Sequence, residues 1–318
     1  MGIKGAVLLV GAMALSLVVI GGVGLTATFS PAASAEKNAT PAETTDTTSS
    51  DTTTPVTTES HSWNGYHWAR TSNPFNLKAG DNVSDAWDST LDTTISDWST
   101  PPPDSGWGPD VVDMTKVTGG TNPRPCKATL GQDEVCNAKY GKTDWLGMAT
   151  VWLYSGGHIA QGTVKLNDTY FKTQPYNTDR WRNLVSCQEV GHTLGLDHQD
   201  ENFDNPNLGT CMDYTRDPST NQHPNKHDYE ELGIIYSHLD TTNTILSSTK
   251  KGKGPLGDPN DPGNEPGDGP PAWGKEVFRS ADGRESVFEQ DHGDGQKKVT
   301  HVRWTEERAA KHGGGNKE

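Results

Sequence analysis

Cys187-Gln188-Glu189-Val190-Gly191-His192-Thr193-Leu194-Gly195-Leu196-Asp197-His198 is the stretch whose reading decides the fold. A helix turns about 100° per residue, so positions 188 and 192 lie about 40° apart and share a face. Glu189 falls about 60° to the other side of His192. Gly195 permits a sharp turn, after which His198 returns to the same point. Cys187 points about 140° away from His192, which speaks against a metal role and leaves it free for a disulfide. Zinc in a hydrolytic site needs three protein ligands and an open fourth position. Gln188, His192 and His198 are the candidate ligands, and Glu189 is placed as a general base. A polar helix with chance histidines is the plainer alternative, but two histidines, a glutamate and a glycine at four fixed spacings favour a metal.

Gln188 is the weak member. Its neutral amide oxygen reaches from the correct face, yet it is a poorer zinc ligand than an imidazole nitrogen. Either that oxygen completes the site or water takes its place. Asp197, Asp200 and Glu201 are nearby carboxylates that could stand in, although Asp197 adjoins a ligand and reads as structural.

The chain opens Met1-Gly-Ile-Lys4, runs apolar from Ala6 to Leu25 and reaches Ala33-Ser34-Ala35. That is the pattern of a secretory signal peptide over residues 1–35; an uncleaved membrane anchor is the alternative, and both place the remainder outside the cytoplasm. The net charge of −15 argues against nucleic acid as a partner. A hydrophobic content of 31% is low for a wholly globular chain. Cys126, Cys136, Cys187 and Cys211 allow three pairings in an exported protein. We favour the local Cys126–Cys136 loop and a Cys187–Cys211 bond that would tie the metal helix to the segment around Met212.

Residues 36–60 are a Thr/Ser-rich linker without core-forming side chains. A domain over 61–240 follows. Val83, Trp87, Leu91, Ile95 and Trp98 recur at helical spacing, predicting a helix over Asp81–Trp98 that stops at Pro101-Pro102-Pro103. Val111–Val117 reads as a strand, Trp145–Tyr154 as a central strand apolar on both faces, and His158–Asn167 as an edge strand. Helices are predicted over Trp181–Leu196 and His227–Leu239. Together these make an α/β (α+β) domain. Residues 241–273 read as a Gly/Pro-rich linker. Residues 274–318 read as a small β-ribbon with turns at Asp282-Gly283 and 293–295 and a disordered tail, with no function assigned.

Apart from Gln188, residues 188–198 follow the long zinc-protease pattern H-E-x-x-H-x-x-G-x-x-H. The chain thus resembles the metzincin clan of metalloproteases, and looks most similar to the matrixin-like and snapalysin-like secreted enzymes. Thr210-Cys211-Met212-Asp213-Tyr214 resembles the Met-turn of that clan, with Met212 beneath the metal. Tyr214 matches a tyrosine that binds the metal or stabilises the tetrahedral intermediate; a core tyrosine is the plainer reading. His227 to Tyr236 resembles the C-terminal helix of matrixins. The resemblance covers residues 61–240. It implies a twisted mixed sheet, an N-terminal helix, a metal-site helix, a Met-turn and a C-terminal helix. It also implies a monomeric secreted Zn²⁺-dependent endopeptidase that acts on protein or peptide substrates, free of the membrane once the signal is removed. A catalytically silent metal-binding relative, acting as an extracellular binding or adhesive module, is the alternative.

Asp200 to Asn207 is an oxygen-rich loop of the kind that binds Ca²⁺, with a polar surface loop the plainer reading. His158 could meet substrate but reads as a surface histidine. His61, His67, His223, His227 and His238 have no ligand spacing relative to the motif.

Overall fold

The computed structural model describes residues 60–99, 101–103, 105–245 and 265–312. The expected signal peptide, the first linker except Ser60, residues 246–264 of the second linker and the end of the tail lie outside them. Among the described residues no helix is long and apolar enough to cross a membrane.

The chain is of mixed α/β type. Its elements run β1 (His67–Trp68), β2 (Phe75–Asn82), α1 (Asp88–Ser99), β3 (Val112–Thr118), β4 (Gln132–Ala138), β5 (Trp145–Tyr154) and β6 (His158–Asn167). Then come α2 (Asp168–Phe171), α3 (Asp179–Thr193), α4 (Lys226–Ile235), α5 (Pro270–Trp273), β7 (Lys275–Arg279), β8 (Glu285–Gly293), β9 (Gln296–Trp304) and α6 (Glu306–His312). The strands form one sheet in the order β3-β2-β4-β6-β5-β9-β8-β7, with β1 paired to β6. Strands β2, β3, β4 and β6 are parallel where they pair. From β6 through β5 to β7 the pairs are antiparallel.

Strand β5 is central, as its two-faced apolarity predicts. Strand β6 is not the edge strand expected; it lies between β4 and β5. Its polar side chains mislead because they are buried, and the charged one among them has partners. Lys165, 1% exposed, donates from Nζ to the carbonyl of Gly267 and to Asp268 at 3.0 and 2.6 Å. The second linker therefore begins to pack on the sheet by residue 267, and Trp273 is fully buried with Trp145, Phe288 and Trp304. The C-terminal ribbon β7–β9 joins the same sheet, because β9 pairs along β5 over most of its length.

Two strands carry no clear sequence signal. Strand β2 takes Asp81 and Asn82 from the predicted helix, which starts instead at Asp88. Strand β4 reads Gln-Asp-Glu-Val-Cys-Asn-Ala and is buried nearly throughout. Buried carboxylates need partners: Glu134 accepts from Asn82 Nδ2 at 2.6 Å and Gln132 Nε2 at 2.9 Å. Both expected disulfides, Cys126–Cys136 and Cys187–Cys211, are formed.

Helix α3 lies on the sheet. Thr178 caps it by accepting from Trp181 N, the usual use of a Thr side chain at that position. Asp133 on β4 meets its far end. Thr193 Oγ1 lies 2.7 Å from Asp133 Oδ2 and 2.8 Å from the Val190 carbonyl. One hydroxyl proton serves one acceptor, so a protonated Asp133 completes the pair. Burial pushes this carboxyl from 3.8 up to about 7. The sign follows directly: between those values the unfolded chain releases a proton that the folded chain retains, so stability falls as pH rises. The loss is at most about 4 kcal/mol and is complete above about pH 7. Asp133→Asn is expected to flatten this dependence, melting higher than the parent chain at pH 8 and level with it near pH 4. Parallel melting curves across that range are the check, and an unchanged slope would refute the assignment.

Candidate metal centre

Helix α3 places Gln188, Glu189 and His192 against the sheet, all fully buried. Gly195 ends the turn after it at φ +97°, and a Cβ there would meet the Tyr66 carbonyl at 2.0 Å. The position thus needs glycine for conformation and for space. The turn carries His198 back beneath His192, with ring centroids 4.7 Å apart. The third imidazole is His301 on β9. Its centroid lies 3.8 Å from that of His192 and 4.8 Å from that of His198. One nitrogen from each of these three residues falls within 4.8 Å of the others.

Gln188 takes a different part from the one expected of it. Its Oε1 accepts from Arg303 Nη1 at 2.7 Å. The same guanidinium donates to Glu285 Oε1 at 3.0 Å and to the Thr215 carbonyl at 3.1 Å. A buried cation needs such acceptors. The reason is the strand alternation of β9, which puts His301 and Arg303 on one face above α3. His301 meets His192 and His198, and Arg303 occupies the amide of Gln188.

The histidine nitrogens fit a metal. His192 Nδ1 donates to the Leu196 carbonyl at 2.9 Å, which leaves Nε2 with its lone pair. Orienting a ligand through its other ring nitrogen is the usual device of metal sites. Asp197 Oδ1 lies 3.4 Å from His198 Nδ1 and accepts from the His198 backbone, so it serves a ligand and replaces none. His192 Nε2, His198 Nε2 and both nitrogens of His301 are buried without a hydrogen-bond partner. Burial lowers the pKa of His192 to about 4, and those of His198 and His301 well below the ordinary value. All three are therefore neutral and available as donors.

Glu189 lies beside the three histidines. No side chain hydrogen-bonds to its carboxyl oxygens, the Ala149 backbone approaches them, and Oε2 lies 3.8 Å from His301 Nδ1. Burial raises its pKa well above the ordinary range, with Arg303 opposing. Tyr214 meets His198 edge-on, ring centroids 4.2 Å apart, and its buried hydroxyl has no partner. Met212 is buried beneath the helix, its sulfur 2.6 Å from where a Cβ on Gly191 would stand.

No protein-family model matches this chain, and no curated protein is similar to it in sequence. The chemistry of the centre is therefore argued from its own residues.

Among the described residues only one other group of ligand atoms converges, that of His67, His158 and Asp240. The calcium loop does not: Asp200 accepts from Asn202 N and Asn205 Nδ2, and Asp204 pairs with Arg216 at 3.1 Å. His301 had no place in the sequence reading because it lies 103 residues beyond His198 in the chain (301 − 198). The available signal was period two in 299–304, which sets His301 and Arg303 on one face and Val302 and Trp304 on the other.

His301→Ala is expected to weaken zinc binding at this centre by more than the roughly 10–100-fold typical of outer-shell changes. Gln188→Ala is expected to leave that affinity within about 10–100-fold of the parent, the outer-shell range, and to cost about 1.5–3 kcal/mol of stability through the lost bond to a charged group. Zinc titration and denaturant melts of the two variants read both. A Gln188 variant that loses the metal while His301→Ala keeps it would reverse the assignment.

Proposed function

We propose that this chain is a zinc-dependent endopeptidase of metzincin type, in which His192, His198 and His301 hold the metal and Glu189 is the general base. One observation carries the reading. The unpaired Nε2 atoms of His192 and His198 meet a third imidazole directly beside the buried carboxyl of Glu189. Zinc bound there would polarise a scissile carbonyl and acidify a water.

The chain's own residues supply the rest. Glu189 would accept a proton at Oε2, and its raised pKa favours holding that proton until a leaving amine takes it. Tyr214 keeps its phenolic proton, its pKa raised by burial, and can donate to a developing oxyanion. Leu196 and Asp197 hold the two imidazoles of the motif in orientation. The two disulfides agree with an oxidising, extracellular setting.

A second reading has its own support. Glu189 and His192 are fully buried and His301 is 1% exposed, so peptide reaches them only if the hairpin β8–β9 or the segment 61–68 gives way. On that reading the centre is a closed structural site in an exported binding module.

Cleavage of unfolded casein at saturating zinc separates the two. The expected result is hydrolysis that a chelator abolishes and zinc restores. Glu189→Gln is expected to retain the metal and lose about 10²–10⁴-fold in rate, the usual share of a general base. A chain that binds zinc stoichiometrically but cleaves nothing, or a Glu189→Gln variant as active as the parent, would leave only the structural reading.

A further inference from the structure

Three histidines that share no motif spacing come together at the far end of the sheet. His67 opens β1 and His158 opens β6, and the two are direct partners in the parallel pairing of those strands. Asp240 and His238 follow α4. Asp240 Oδ1 lies 3.4 Å from His67 Nε2, 3.3 Å from His158 Nε2 and 3.7 Å from His238 Nε2. His67 Nε2 and His238 Nε2 are 3.2 Å apart.

The outer contacts turn the inner atoms toward one another, with His67 Nε2 in reach of both Asp240 Oδ1 and His238 Nε2. His67 Nδ1 lies 2.7 Å from the Gly65 carbonyl, which can only accept, so that nitrogen carries the proton. In the neutral ring Nε2 then presents a bare lone pair. His67 is 5% exposed. On Asp240, Oδ2 accepts from the Arg70 backbone and from Arg70 Nη1 at 3.1 and 3.0 Å, which leaves Oδ1 turned to the histidines. A ring N–H of His238 or His158 can bridge some of these acceptors, and a cation among them would engage the lone pair of His67, the carboxylate oxygen and the two other imidazoles together.

We propose that His67, His158 and Asp240 form a second metal site, specific for zinc or a similar nitrogen-preferring divalent ion, with His238 as the fourth ligand on its open side. Three imidazoles and one carboxylate are a donor set of the tetrahedral zinc class. The site would clasp the start of the domain, the β5–β6 turn and the chain leaving α4. It also bears on the first centre. Tyr66, beside His67, packs its carbonyl against Gly195, and Trp63 donates to the Gly195 carbonyl at 2.7 Å. The Trp63 ring lies 5.7 Å from His192 and 6.2 Å from His301.

Metal-depleted full-length chain titrated with Zn²⁺ alone, followed by elemental analysis and thermal melting, tests this. The expected uptake is two equivalents. His158→Ala and His238→Ala replace partly exposed side chains, 28% and 53% exposed, and so spare the core. His158→Ala is expected to retain one equivalent and lose part of the zinc-induced rise in melting temperature, and His238→Ala to weaken the second equivalent at least about tenfold. His301→Ala is also expected to retain one equivalent, and His158→Ala/His301→Ala none. A parent chain that binds a single equivalent, removed by His301→Ala and untouched by His158→Ala, overturns the second site and leaves the first standing. A parent chain whose single equivalent is lost with His158→Ala does the reverse.

Discussion

The pairing of β9 along β5 is the interaction on which the rest of this structure depends. It joins Trp145–Leu153 to Lys297–Trp304 in antiparallel register, with Ala149 opposite His301 and Gly147 opposite Arg303. The strand period then does the positioning. Val302 and Trp304 turn to one side, where they meet Trp273 and Phe288. His301 and Arg303 turn to the other, over α3. Without this pair β5 would be an edge strand with unpaired backbone groups, and the motif helix would offer two imidazoles. The last part of the chain thus completes both the sheet and the candidate centre.

That pairing also explains the glutamine in the motif. Arg303 is 3% exposed, and a buried guanidinium without acceptors is costly. Gln188 supplies a neutral oxygen, Glu285 a carboxylate and Thr215 a carbonyl. An imidazole at 188 would lack the amide's fixed acceptor and would carry like charge whenever protonated. The departure from the zinc-protease pattern is therefore one half of an exchange. Position 188 serves the guanidinium, and the third imidazole comes from two residues earlier on the same strand.

Much of this was legible in the sequence where the signal is local. The motif helix, the central strand Trp145–Tyr154, the helix that ends near Trp98, both disulfides and the hairpins of the C-terminal ribbon follow from periodicity, turn residues and cysteine spacing. The misses share a cause. Strand β4 is polar because Asp133 and Glu134 find partners on α3 and β2. Strand β6 looks like an edge because Lys165 finds its partners near Gly267. His301, and the meeting of His67, His158 and Asp240, depend on contacts between residues far apart in the chain, and no spacing rule reports those.

The electrostatics of the first centre give the closing argument. Its three imidazoles are neutral, so the charge near them comes from Asp197, Glu189, Glu285 and Arg303. With all three carboxyls ionised these sum to −2 (three negative, one positive). Three carboxylates against one guanidinium are unfavourable by themselves, and burial answers by raising the pKa of Asp197 and by pushing those of Glu189 and Glu285 well above the ordinary range. A divalent cation on the free nitrogens would remove the need for those protons and draw Glu189 toward its ionised form, the form a general base requires. The same ion that completes the histidine set would therefore prepare its neighbouring carboxylate. Metal binding at this candidate centre, the ionisation of Glu189 and the packing of β9 would in this way be one coupled equilibrium, with Arg303 joining the strand to the helix.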